Sequence, residues 1–184
     1  MASSVENYLN SLGKYVVKQS RTMLTKAKKN VNKDLYNSIS YKVVPDGDSF
    51  TLQFYMLNYG QFVDKGVSGN KKIQDFTTWD KRKVASPFKY KSKGPPIDII
   101  SKWIKARGIK PTGTGRGRSK NTGQYISGLA YLISKKIKRD GIKSLSFFQR
   151  PLGLGMETFG KDLLGAVKED ILNTLNKETI TQVN

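Results

Sequence analysis

The positive charge of this chain is concentrated in one stretch, and that concentration limits where a core can form. Between Lys65 and Lys120 the sequence has 16 Lys and Arg residues and three acids. The difference, +13, is most of the net charge of +19 that the 184 residues carry. Because dense like charges repel and few apolar side chains interrupt them, we expect basic loop insertions at residues 66–94 and 111–121. The core must then come mainly from other segments.

The chain has neither cysteine nor histidine. A disulfide framework, a cysteine-ligated zinc site, a thiol nucleophile and a Ser–His–Asp triad are therefore excluded. The first residues lack the basic and apolar regions of a signal peptide, and no apolar run reaches the length of a membrane span. We expect a protein that is made in the cytoplasm, has no membrane contact, and has no catalytic residue, metal or cofactor.

Apolar periodicity predicts an α+β fold, in which a long N-terminal helix and later helices pack on a small antiparallel sheet. The sequence between Val44 and Phe50 is rich in Asp and Gly, which indicates a hairpin turn. We expect one domain over residues 1–176 and a polar tail over 177–184. The predicted elements are a helix over residues 4–31, strands over 39–44 and 50–57, and helices over 97–107, 125–137 and 156–175. The side chains expected to be largely buried are Leu52, Phe54, Trp103, Leu132, Phe159 and Leu163.

Four segments in this order resemble one known family. They are Tyr59-Gly-Gln-Phe-Val-Asp-Lys-Gly66, the Pro95-Pro96 helix with Trp103-Ile104 and Gly108, the Leu129-Ala130-Tyr131 helix that ends before Gly141, and Phe147-Phe-Gln-Arg-Pro-Leu152. The chain resembles the tail-completion or neck proteins, which join head to tail in tailed bacteriophages. Residues 68–93 and 112–121 are longer and more basic than the corresponding links of that family.

The resemblance implies a structural, non-catalytic virion protein with an α+β fold. It implies a homo-oligomeric ring of six or twelve copies in the neck, between the connector on the portal side and the tail proteins. Physical reasoning agrees, since rings form by heterologous contacts that close. Basic loops that are mobile alone become ordered on a partner, which is either DNA or an acidic protein surface.

The basic loops supply the predicted contact residues. DNA threaded through a ring would be held by its phosphates, without sequence preference. Phe88 and Tyr90 would either stack on bases or anchor their loop on the protein. The candidates for contact with DNA or a protein partner are Lys71, Lys72, Lys81, Arg82, Lys83, Lys89, Lys91, Lys93, Arg116, Arg118 and Lys120.

Two further functions compete with the structural role. The first is a free nucleic-acid-binding protein without sequence preference, which the charge alone would suit. The second is a metal-dependent nuclease, which would need carboxylates that converge in space. Asp46 and Asp48 are close in sequence, but a turn favours Asp for backbone reasons, and Asp64 is better explained as a cap or an ion-pair partner. Gly113-x-Gly115-x-Gly117 lacks the Lys-Ser/Thr ending of a nucleotide-binding loop.

Overall fold

The computed structural model describes residues 4–29, 32–47, 49–109, 116–118 and 125–182. Side chains are described for these residues except 116–118, 125–127, 161 and 173–182. The predicted α+β fold is confirmed. Residues 1–176 are expected to form one domain, within which the contacts of the described residues divide into two compact units. The first unit falls within Met1–Asn58, Thr78–Arg82 and Phe147–Asn184, and the second within Tyr59–Thr77 and Lys83–Ser146.

The described residues form both long helices and short strands. The helices are α1 (Ser4–Lys26), α2 (Asp34–Ser38), α3 (Gly60–Lys65), α4 (Ile97–Ala106), α5 (Gly128–Asp140) and α6 (Gln149–Gln182). The strands are β1 (Ser40–Asp46), β2 (Ser49–Tyr55), β3 (Val67–Ser68), β4 (Asp75–Thr77), β5 (Lys83–Ala85), β6 (Arg116–Arg118), β7 (Tyr125–Ser127) and β8 (Gly141–Ile142). Within the described residues they pair as β1–β2, β3–β8, β4–β5 and β6–β7, all antiparallel.

The first unit is organised by α1 and α6, which run antiparallel. Asp170, far along α6, accepts hydrogen bonds from the backbone N–H groups of Ser4 (2.8 Å) and Val5 (3.0 Å). Near the start of α6, Gly155 lies against Leu12 and Val16 of α1. The Asp170 carboxylate thus satisfies N–H groups that the start of a helix leaves without an intrahelical partner, and its charge suits that helix end. A distant residue caps α1, in addition to any local serine.

The β1–β2 hairpin covers α1 and confirms the predicted pairing. Its register places Tyr41 opposite Phe54. The Tyr41 ring lies so close to α1 that a Cβ on Gly13 would be 2.4 Å from the ring. The side chains with no exposed surface in this unit include Val16, Leu24, Ile39 and Phe147.

Both long helices differ in extent from the prediction. α1 ends at Lys26 rather than near residue 31, and Lys28 adopts a left-handed conformation at φ 52°. α6 begins at Gln149, which is possible because Pro151 falls in the first turn, where a missing N–H costs little. It continues to Gln182, so the predicted polar tail at 177–184 is helical as far as residue 182.

The second unit contains most of the segment that was expected to be a loop insertion at 66–94, and only residues 78–82 of that segment belong to the first unit. This segment is not an extended arm, because β3, β4 and β5 lie in it and Val67 and Phe76 are buried. Val67 of β3 pairs with Ile142 of β8. The neighbouring Gly141 has a φ of 82°, and it lies so close to β3 that an added Cβ would be 2.1 Å from the Val67 carbonyl oxygen. A Cβ on Gly69 would be 2.2 Å from the Arg139 carbonyl oxygen. At these two glycines the backbones of neighbouring segments are in direct contact, in positions where apolar side chains would otherwise pack.

A small apolar cluster joins α4 and α5 in the second unit. Its buried members are Ile100, Ile104 and Ala130. α4 confirms the predicted helix, with Pro96 immediately before it and Gly108 at φ 65° after it. α5 begins at Gly128, three residues later than predicted, because residues 125–127 pair as β7 with β6. In the predicted loop at 111–121, residues 116–118 form β6, and the other residues of that loop lie outside the described part of the chain.

Two of the predicted core residues are exposed. Trp103 is 41% exposed and Leu132 is 54% exposed, because the buried contact between α4 and α5 uses Ile100, Ile104 and Ala130 instead. Leu52, Phe54, Phe159 and Leu163 are half-buried. Phe159 lies between the rings of Tyr8 and Tyr15, with centroid distances of 6.2 and 5.5 Å.

Candidate interaction surfaces

Most of the predicted basic contact residues lie on the surface of the second unit. They are exposed side chains on β5 and on the segments that flank it, namely Lys71, Lys72, Lys83, Lys89, Lys91 and Lys93. Arg116 and Arg118 lie on β6, where the backbone alone is described, and Lys120 lies outside the described residues. Eight of the predicted contact residues therefore belong to the second unit.

The turn at residues 70–72 is held against the end of α5. The Asn70 N–H donates to the Lys138 carbonyl at 2.9 Å, and the Lys71 N–H donates to the Arg139 carbonyl at 3.0 Å. Arg139 binds the Asp140 carboxylate through Nε and Nη2, both at 2.7 Å. These hydrogen bonds lower the pKa of Asp140 below its ordinary 3.8, and the nearby Lys136 and Lys72 lower it further.

We call Lys72, Lys136 and Arg139, with Asp140 between them, the α5-end cluster. Lys136 and Arg139 are not among the contact residues predicted from the sequence, although a run of basic residues at a helix C-terminus is a recognisable signal. The α5-end cluster is a basic surface with one internal carboxylate. It can attract an anion, but part of its charge is already paired.

Lys81 and Arg82 belong to the first unit and are already paired. Lys81 Nζ lies 2.5 Å from Glu157 Oε1 on α6, and Arg82 Nε lies 2.5 Å from Asp80 Oδ2. Hydrogen bonding from Thr78, and then the charge and hydrogen bond of Arg82, lower the pKa of Asp80. Lys81 has φ 66°, which fits its place in a tight turn. These two residues hold a turn on α6 and are weaker candidates for binding a partner.

Phe88 and Tyr90 anchor their segment within the second unit. The Phe88 ring meets Phe62 edge-on at a centroid distance of 4.6 Å. The Ser68 backbone donates to the Phe88 carbonyl at 2.7 Å and accepts from the Tyr90 N–H at 2.9 Å. Burial raises the pKa of the Tyr90 hydroxyl. Of the two interpretations left open by the sequence, anchoring is the one that these contacts fit.

A basic groove of about 850 Å³ opens on the first unit between α1, α2 and the start of β1. We call it the α1 groove. Its apolar lining includes Val17 and Ile39, and the lining residues among the described part of the chain include no carboxylate. The charged and aromatic side chains that line it are Lys14, Lys18, Arg21, Lys26, Tyr36 and Tyr41.

An exposed apolar stripe runs along one side of α6. Leu164 is 77% exposed and Ile171 is 55% exposed, and Val167 lies between them at helical spacing. Phe159, Leu163 and Ala166 are more buried and form a different stripe of the same helix. In the second unit, exposed apolar side chains include Ile73, Ile99, Trp103 and Leu132.

The described residues include no group of three or more acidic side chains placed to hold a metal ion. Asp48 lies outside them, and Asp64 is buried, with its carbonyl accepting the Ser146 N–H at 2.9 Å. Within the same part of the chain, no helix combines the length and apolar character required to cross a bilayer.

The fold and surfaces define this chain as an α+β protein with basic and apolar surface features. No protein-family model matches it, and neither the curated proteins nor the solved structures contain a significant match.

Proposed function

We propose that this protein is a structural subunit of the neck of a tailed bacteriophage virion, where it forms a ring of six or twelve copies between the head connector and the tail. The observation that carries the proposal is the exposed apolar stripe Leu164–Val167–Ile171 on α6. Large exposed apolar residues in a row are typical of surfaces that another protein covers. A chain with a net charge of +19 needs such contacts to associate with itself.

The segments that carry the family resemblance support the same proposal. Tyr59–Gly66 spans α3 and the glycine after it, which has φ 71°. Phe147–Leu152 leads into α6, with Phe147 fully buried. Each of these two segments therefore contributes to the fold itself, which is what we expect of a motif that a family keeps to maintain its structure.

Sedimentation tests the assembly. At about 0.5 M salt, where charges are screened within about 4 Å, we expect the full chain to sediment as a closed assembly of six or twelve subunits. The double variant Leu164→Asp/Ile171→Asp should remain at the monomer mass of 20.7 kDa. Thr158→Asp/Gly165→Asp is the matched control, because both residues are exposed on α6 and lie about 100° or more round the helix from the stripe, and the two substitutions lower the net charge by the same two units. A wild-type chain that stays monomeric at every concentration would overturn the proposal.

The second candidate is a free nucleic-acid-binding protein, and the exposed lysines of the second unit favour it. Such a protein would bind DNA with a strong salt dependence and without a ring. Sedimentation without DNA separates the two functions, because only the neck protein assembles alone. Loss of DNA binding on replacing Lys89, Lys91 and Lys93 by Ala, in a chain that is monomeric, would support the second candidate.

A further inference from the structure

We infer that the α1 groove binds single-stranded nucleic acid, with lysines on the phosphates and tyrosine rings against the bases. This site is in the first unit, and its lining includes none of the residues that the sequence predicted to contact DNA. It does not depend on whether the chain forms a ring.

The cations of the groove follow one helix. Lys14, Lys18 and Lys26 are exposed, and the helix rise of 1.5 Å per residue spreads them over about 18 Å. Because the described lining has no carboxylate, these charges have no anionic partner within the groove. A row of lysines in a concave surface follows a phosphate backbone well, since contacts to phosphate need charge and little directional precision.

Arg21 and Tyr36 form a fixed platform at one side of the groove. Arg21 Nε donates to the Tyr36 carbonyl at 3.0 Å, and Nη2 donates to the Ile39 carbonyl at 2.9 Å. Its guanidinium carbon lies 5.2 Å from the centre of the Tyr36 ring. The ring is therefore held in place before any ligand arrives, which reduces the entropy lost when a base stacks on it.

Tyr41 is fixed in a different way. Its ring lies on the backbone of α1 at Gly13, where a Cβ would be 2.4 Å from ring carbon Cδ2. Both tyrosines are half-buried, so the protein supports each ring and leaves part of it accessible. Aromatic platforms beside a row of cations are the combination that binds unpaired bases with little sequence preference.

The size and chemistry of the groove distinguish among anionic partners. A volume of about 850 Å³ is within the range of about 300–1,000 Å³ for pockets that enclose small ligands, which suits single nucleotides of a strand. A duplex would use the lysines for its phosphates, but its bases are already stacked on one another and would leave the two tyrosine rings unused. An acidic peptide would use the lysines but would gain little from two fixed aromatic rings.

The test measures fluorescence anisotropy of a labelled oligo-dT 20-mer with the full chain over a range of salt. The variant Lys14→Ala/Lys18→Ala/Lys26→Ala should reduce the salt slope by about 2, since each lysine on a single strand contributes about 0.7, and should weaken binding about tenfold or more. The control Lys102→Ala/Lys105→Ala/Lys143→Ala removes equal charge from exposed sites in the second unit and should keep most of the slope.

Tyr36→Leu tests stacking separately from charge. It should weaken oligo-dT binding about tenfold at an unchanged salt slope, because a stacked base contributes without releasing counterions. Equal losses in the groove and control lysine variants would overturn the inference, as would a Tyr36→Leu variant with wild-type affinity. Equal affinity for a duplex 20-mer, or displacement by polyglutamate as efficient as by unlabelled oligo-dT, would assign the groove to a duplex or to an acidic protein.

Sedimentation of the same variants keeps this inference separate from the neck function. Because the groove lysines lie outside the α6 stripe, the triple groove variant should assemble like the wild type while binding oligo-dT poorly. A monomeric wild type that still binds oligo-dT through the groove would overturn the neck proposal and retain the nucleic-acid site.

Discussion

The two units reach stability by different means. The first unit packs two long helices and a regular hairpin around fully buried side chains such as Leu24 and Phe147. The second unit has short strands and close backbone contacts at Gly69 and Gly141, with a small apolar cluster between α4 and α5. Side-chain volume should therefore control stability in the first unit, whereas the absence of a Cβ at particular positions should control it in the second.

The largest expected effect tests the side-chain core of the first unit. Phe147 has no exposed surface, so Phe147→Ala should lower the free energy of unfolding by about 3–5 kcal/mol. Phe159 is half-buried between two tyrosine rings, so Phe159→Ala should cost about half as much. Urea denaturation followed by circular dichroism measures both values. Equal costs would mean that the helix pair α1–α6 contributes as much core as the residues around Phe147.

The next effect tests the backbone packing of the second unit. Gly141→Ala should lower the free energy of unfolding by about 2–5 kcal/mol, because it adds left-handed strain and forces a Cβ against the Val67 carbonyl. Gly108→Ala is the matched control, since Gly108 also has positive φ but no atom within 4 Å of its added Cβ. The control should cost only about 1–2 kcal/mol.

Denaturation monitored at a probe within the second unit would compare the two glycine variants directly. If Gly141→Ala costs no more than Gly108→Ala, the β3–β8 contact is not as close as the structure has it. The second unit would then depend on its apolar cluster, as the first unit depends on its core.

The same contrast explains what the sequence could predict. Helical and alternating apolar periodicity correctly predicted α1, the β1–β2 hairpin and α4, because each element carries its own signal. The fold of residues 66–94 carries no such signal. It depends on distant glycines and on backbone hydrogen bonds, such as Ser68 to Phe88, that periodicity does not record. Charge density was a poor guide, because exposed lysines are compatible with packed strands beneath them.

The candidate surfaces follow a similar rule. Sequence identified the exposed lysines near β5 from composition alone. It missed the α1 groove, because that surface combines lysines of α1 with Tyr36 and Tyr41, which are brought to α1 by the fold. It also placed Trp103 in the core, because an apolar helix face does not indicate which of its members meets the neighbouring helix. Tertiary packing made those choices.

The smallest expected effect concerns one carboxylate in each unit. The pKa of Asp140 is lowered first by the Arg139 hydrogen bonds, and then by the charges of Arg139, Lys136 and Lys72. The pKa of Asp80 is lowered first by the Thr78 hydrogen bond. A lowered folded-state pKa means that each ionised carboxylate stabilises the fold above its ordinary pKa of 3.8, and that this contribution is lost as the pH falls through the lower folded value. Melting temperatures of wild type and Asp140→Asn should therefore differ at pH 7 and converge in acid.

A carboxyl ¹³C NMR titration can isolate the contribution of the Lys72 charge to the pKa of Asp140. In Lys72→Met the pKa of Asp140 should rise toward 3.8, because a nearby positive charge that favours the carboxylate has been removed. Lys72 does not contribute to the lowered pKa of Asp80. Asp80 should therefore titrate as in the wild type, and it serves as the internal control. An Asp140 pKa that does not respond would show that the Lys72 ammonium is not close enough to the Asp140 carboxylate to favour its ionised form.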